Sequence, residues 1–145
     1  MHYRPAVLLA VLLVLPLLAR EGRAQEAPQA QRYENVTWHR IDYVRYKPGT
    51  QGRALEIIRE YFVPAAEQAG LPVPMLVEMT TGEWDVMTIW TLDGGVADLE
   101  WEVSPEGVAF QQAMAELHGA DAARALGEEY EGLVAAGMTH LGLRR

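Results

Sequence analysis

The sequence contains no cysteine, a single serine (Ser104), a single lysine (Lys47) and few bases, with 12 Lys and Arg against 20 Asp and Glu in 145 residues. The missing thiols exclude disulfides, thiolate metal sites, a cysteine nucleophile and a lipid-modified cysteine. With one serine and no Gly-x-Ser-x-Gly elbow, the sequence argues against a serine nucleophile as well, and Ser104-Pro105 reads as a helix cap followed by proline at the first helical position. The formal charge of −8 argues against nucleic acid as a partner, because phosphate binding requires clustered Lys and Arg. Gly94-Gly95 has none of the context of a dinucleotide loop. The three histidines beyond the leader, His39, His118 and His140, are not spaced as metal ligands, and no acidic loop has calcium-binding spacing. The residues therefore call for neither a metal nor a cofactor.

What is present begins with a leader. Arg4 precedes an apolar run of 14 residues, Ala6 to Ala19, and Gly22-Arg23-Ala24 supplies small residues for cleavage. This is the layout of a secretory signal peptide over 1–24, which predicts a secreted or periplasmic protein with no stable membrane insertion once the leader is removed. The run is shorter than the roughly 20 residues that cross a bilayer. An uncleaved anchor, or cleavage after Ala19, are the alternative readings. Without residues 1–24 the chain keeps 9 bases against 19 acids, and between Glu60 and Leu143 the one base is Arg124. Residues 25–35 are polar and read as a flexible tether. Asn35-Val36-Thr37 matches a glycosylation acceptor, a short pattern read here as chance.

The domain spans 36–145. Val36 to Tyr46, rich in Val, Ile, Tyr and Trp, predicts a strand that stops at Lys47-Pro48-Gly49. Leu55, Ile58, Phe62, Ala65 and Ala69 form one apolar stripe, predicting a helix from Gly52 to Ala69, capped by Thr50, disturbed at Pro64 and closed by Gly70. Pro74–Thr80 and Trp84–Leu92 predict a hairpin, with Val77 opposite Met87, Met75 opposite Ile89 and Leu76 opposite Thr88. Val96–Glu102 predicts a helical turn. Val108–His118 predicts a helix, and a further one runs from Asp121 to about Ala136 with Gly137 as its stop. Thr139–Leu143 is either a short last strand or a tail. This order is a ferredoxin-like α+β plan, an antiparallel sheet with helices on one face. The helix-covered face is assigned Ile41, Tyr43, Val77, Met79, Met87 and Ile89. The opposite face then carries Trp38, Arg40, Asp42, Tyr46, Leu76, Glu78, Trp84, Thr88 and Trp90, too much aromatic surface to leave in water. A second copy of the sheet is its simplest cover.

The run Tyr46-Lys47-Pro48-Gly49, the segment Leu55–Ala66 with Tyr61-Phe62-Val63-Pro64-Ala65, and the hairpin end Trp84-Asp85-Val86-Met87-Thr88-Ile89-Trp90 resemble the dimeric α+β barrel superfamily over about residues 36–140, most of all its NIPSNAP-like and antibiotic-biosynthesis-monooxygenase-like members. The resemblance implies a homodimer with two sheets face to face and a ligand site between sheet and helices. Its members include cofactor-free monooxygenases, haem-degrading and haem-binding enzymes, isomerases and many proteins of unknown role. Haem-binding barrels with a histidine in the region of His118 make that residue a candidate haem ligand. A helix-terminal histidine placed for the dipole is the alternative.

The candidate chemistry lies at Arg40, Asp42 and Glu78, where an unpaired carboxylate could act as acid or base and Arg40 could clamp an anion. An Arg40–carboxylate pair that serves packing is the alternative. Trp38, Tyr46, Trp84, Thr88 and Trp90 are the candidate ligand-binding residues, with interface anchoring as the competing role of the tryptophans. Trp101, within a run of acids, is placed against a helix end, and the acids Glu83 to Glu106 read as a solvated surface. The reading is an exported small-molecule-binding barrel protein, with a cofactor-free enzyme acting on an aromatic or apolar molecule and a non-catalytic binding or structural module both open, and a haem protein as a third.

Overall fold

A computed structural model describes residues 29–145, of which Tyr33–Arg145 form one compact unit. The leader and residues 25–28 of the tether lie outside the described residues. The first strand, β1 (Thr37–Tyr46), is stopped by Pro48 and by Gly49 at φ +79°, where Thr50 N–H returns to Lys47 O at 3.1 Å. The predicted helix follows as three segments: α1 (Gln51–Ile57), a π turn (Ile58–Phe62) and α2 (Val63–Gln68). Pro64 has no N–H and its ring crowds the carbonyl four residues earlier. The chain answers one turn ahead by widening, so that Val63 N–H reaches Ile58 O instead of breaking the helix. Thr50 does not cap with its side chain; its hydroxyl donates to Lys47 O at 2.8 Å. Gly70, at φ +67°, closes the segment with Gly70 N–H to Glu67 O and Leu71 N–H to Ala66 O, the paired bonds of a Schellman end.

Two short strands follow, β2 (Met75–Glu78) and β3 (Val86–Leu92), in the predicted register, Met75 with Ile89, Leu76 with Thr88 and Val77 with Met87. A 3-10 turn (Gly95–Leu99) leads to α3 (Pro105–His118), whose first turn is held by Gly107 N–H to Ser104 Oγ at 3.0 Å. Gly119 separates α3 from α4 (Ala120–Leu133). The helix expected to reach Ala136 ends at Leu133, and Val134–Arg144 is a full strand, β4. The free edge of β1 decides this: it binds β4 from Thr37↔Arg144 to Tyr46↔Val134, with one irregularity between Arg45 and Tyr46. Backbone pairing outweighs the weak strand preference of Ala135, Ala136 and Gly137. The sheet order β2-β3-β1-β4 is antiparallel throughout and is the ferredoxin-like arrangement.

The helices cover the face opposite to the one assigned from sequence. Tyr46 and Val86, with Val44 and Leu76 beside them, pack on Ala54, Leu55, Ile58 and Tyr130. A second cluster, Ile57, Ala65, Ala113, Met114 and Leu126, joins the helices to each other, and Tyr130 and Leu133 touch both. Ile41, Tyr43, Val77, Met87 and Ile89 therefore line the face away from the helices, partly exposed in the single chain. Alternation sorts residues into two sets but does not say which set meets the helices when both are apolar.

Candidate functional site

Because the helices lie on the Arg40–Trp90 side, they and the sheet frame a half-open cavity of about 530 Å³, within the usual range for small-molecule sites. Arg40 from β1 and Thr88 and Trp90 from β3 form its floor. The π turn gives Ile58, Arg59 and Phe62 to one wall. Leu71 and Pro74 close a third side, and the start of α3 contributes Glu106, Gly107 and Phe110. Phe62 and Phe110 meet edge to face, with ring centroids 5.8 Å apart, and they are the two phenylalanines of the whole sequence. The wall is thus mainly apolar, with two guanidinium groups and one carboxylate.

Arg40 is held from two directions. Its Nε donates to Asp42 Oδ2 at 3.0 Å, and its guanidinium carbon lies 5.0 Å from the centre of the Trp90 ring, within cation–π range. Asp42 is engaged at both oxygens, since Oδ1 accepts from the Thr139 hydroxyl at 2.7 Å. Its carboxylate therefore aims Arg40. Arg59 donates from Nε to Leu55 O at 3.2 Å. Trp90 Nε1 is buried with no hydrogen-bond partner among the described residues.

The other sequence candidates are distributed elsewhere. Glu78 shares the sheet face of Arg40 by register but is exposed, opposite Val86 at the hairpin end, and makes no ion pair among the described residues. Tyr46 is core, 4% exposed, with its hydroxyl 3.0 Å from that of Tyr130. Trp38 stacks edge to face with Tyr33 and approaches Gly95. Trp84 lies before β3 rather than in it, and its ring meets Tyr43, a residue of the opposite face, at 6.0 Å. Of the five proposed ligand contacts, Thr88 and Trp90 border the cavity. His118 packs its ring on Tyr61 at 5.1 Å, between helices, with Nε2 buried and unpartnered. It does not border this cavity. Trp101, expected against a helix end, is 60% exposed. Two acids of the run are structural: Asp85 accepts from Tyr46 N–H at 2.8 Å and Asp98 from Gly94 N–H at 2.9 Å. Among the described residues no three His, Asp or Glu side chains converge as metal ligands do, and no helix is long and apolar enough to cross a membrane.

Sequence reasoning missed Arg59, Phe62, Phe110, Leu71 and Pro74 as cavity residues. Phe62 was visible as a member of the helical stripe, but nothing local distinguishes a stripe residue that fills the core from one that borders a hollow.

No protein-family model matches the chain, and no curated protein matches its sequence. Solved structures do. A NIPSNAP family protein from Agrobacterium tumefaciens superposes with a TM-score of 0.50 at 15% identity, covering 81% of this chain and 92% of that one. A second NIPSNAP family protein of that organism, of unknown function, gives 0.48 at 13% identity over 74% and 87%. An uncharacterized NIPSNAP domain protein from Burkholderia xenovorans gives 0.45 at 10% identity over 74% and 94%. The fold of this chain is the dimeric α+β barrel fold.

Proposed function

We propose that this chain, built on the dimeric α+β barrel fold, is an exported homodimer that holds a small apolar or aromatic molecule between its sheet and its helices. The observation that carries the reading is the cavity itself, about 530 Å³ of mostly apolar wall around a fixed Arg40. Binding is favoured over acid–base catalysis because Asp42, the carboxylate nearest to Arg40, has both oxygens committed to protein donors. Export rests on the leader pattern at 1–24.

The homodimer is supported by the bare sheet face. Ile41, Tyr43, Val77, Met87 and Ile89 lie across it, with Met75 64% and Met138 39% exposed at its edges. A contiguous apolar face of this kind is uncommon on a monomer and suits a second copy of the same sheet, related by a two-fold axis. An Ile89→Asp variant is expected to run as a monomer in light scattering at micromolar concentration, where the native protein runs as a dimer. A native protein that is itself monomeric there removes the dimer from the proposal.

The cavity is tested with 2-naphthalenemethanol, a neutral flat probe, by titration calorimetry. Native protein is expected to bind it, and Ala66→Phe, which places a ring in the cavity wall, is expected to lose at least tenfold in affinity while keeping its circular dichroism spectrum. Undiminished binding to Ala66→Phe would place the probe elsewhere and sink the reading.

A further inference from the structure

We infer that the molecule held in this cavity is an apolar monocarboxylate, and that Arg40 receives its carboxylate. The inference rests on the cavity being a ligand site and adds the class of ligand. A guanidinium offers five N–H donors in a planar fork. Arg40 spends one, Nε–H, on Asp42. Among the described residues, its two Nη groups donate to no protein acceptor. The fork is nevertheless immobilised, by the Asp42 bond on one edge, the Trp90 ring on one face and the Thr139 hydroxyl that fixes Asp42 in turn. An arginine restrained in this way and left with its outer donors open is preorganised for a two-oxygen anion, since little side-chain entropy remains to be lost on binding.

The remaining polar atoms agree in kind. Trp90 borders the cavity with its ring, while its indole N–H is sealed within the protein and faces no open space. Thr88 presents a hydroxyl that makes no hydrogen bond among the described residues, and Arg59 adds a second guanidinium. On the acceptor side, Ser104 Oγ is occupied by Gly107 N–H, and Glu106 is exposed. The donors open to a ligand are therefore the outer nitrogens of the two guanidinium groups, with the Thr88 hydroxyl able to donate or accept beside them. The rest of the wall, Phe62, Val63, Ala66, Leu71, Leu76 and Phe110, accommodates only an apolar body. A single acidic group is called for because Arg40 is restrained both at Nε and on one face, whereas Arg59 is held at Nε alone and lies exposed at the rim.

Two sources share this chemistry, an aryl carboxylate and a medium-chain fatty acid, and the test separates them. Purified protein is titrated calorimetrically with 2-naphthoate and 2-naphthalenemethanol, and with octanoate and 1-octanol. At least one acid is expected to bind tenfold or more tightly than its own alcohol, and the stronger pair identifies the source. In Arg40→Gln that ratio falls to within threefold of unity while the alcohol's affinity is retained, and Arg40→Lys, which keeps the charge without the fork, recovers only part of it. The alcohol reports whether the variant cavity is intact, and the acid-to-alcohol ratio in native protein decides the matter even where a variant does not fold. Acid and alcohol binding native protein equally overturns the carboxylate assignment and leaves the apolar cavity standing. Binding of neither probe overturns both.

Discussion

Replacing Ile57 with alanine is expected to lower the unfolding free energy by about 2–5 kcal/mol, the range for removing a large aliphatic side chain from a close-packed core. Ile57 is fully buried and sits among Ala65, Ala113, Met114 and Leu126, three of which come from α3 and α4. Two of its neighbours are already alanine, so the surroundings have little side chain with which to collapse into the space, and the loss belongs towards the upper part of that range. The contrast is Val96→Ala, at a residue about half exposed on the 3-10 turn, where a change within about 0.5 kcal/mol is expected. Urea unfolding of the three proteins, at one protein concentration because association contributes to stability, checks both values. A loss below 1 kcal/mol at Ile57 would mean that the helical layer is not packed as described. The same variant bears on the site. Ile57 is the last residue of α1 before the π turn that carries Ile58, Arg59 and Phe62 into the cavity wall, so a looser anchor there should weaken 2-naphthalenemethanol binding as well.

The parts of this molecule that the sequence made legible are those set by short-range rules. The hairpin register follows from a fixed loop, Thr81-Gly82-Glu83, between two alternating runs, and it holds residue for residue. Ser104 caps α3 because a serine before a proline has few other uses. Orientation is a different matter. Both faces of β1 mix apolar and polar residues, and only the partners delivered by the helices, Leu55, Ile58 and Tyr130, select the Val44–Tyr46 side. That selection moves Arg40 and Trp90 from a supposed interface into a cavity. It also moves Tyr46 into the core, while Trp84, off the end of β3, joins the bare face. The strand β4 was obscured for the same reason: its first residues, Val134-Ala135-Ala136-Gly137, carry little local preference, and the free edge of β1 is a property of the assembled sheet. The cavity draws on five stretches of chain, so no spacing motif could announce it.

Tyr46 gives the molecule a specific weakness at high pH. Its hydroxyl is buried at the junction of β1 and α4, bonded to Tyr130 at 3.0 Å, and its backbone N–H is bound to the carboxylate of Asp85. Burial, foremost, with the Tyr130 hydrogen bond and the nearby Tyr130 and Asp85 charges adding to it, pushes the phenol well above its ordinary value near 10. The unfolded chain releases this proton at about pH 10 while the folded chain keeps it. Between those two values the folded state binds more protons, so stability must fall as pH rises, at about 1.4 kcal/mol per pH unit, and the contribution is whole below pH 10. Tyr46→Phe separates this effect from the titration of every other group. At pH 7 the variant forfeits one hydroxyl–hydroxyl bond and is expected to be less stable by about 0.5–1.5 kcal/mol. With no phenol to titrate, it escapes the alkaline loss at this position, so the difference from native protein should close to zero between about pH 10 and 11 and reverse above that. Urea unfolding of both proteins from pH 7 to 11.5 measures the difference directly. A difference that stays constant across that range would show that Tyr46 ionises as freely in the folded chain as in the unfolded one, and that its hydroxyl is not sealed between β1 and α4.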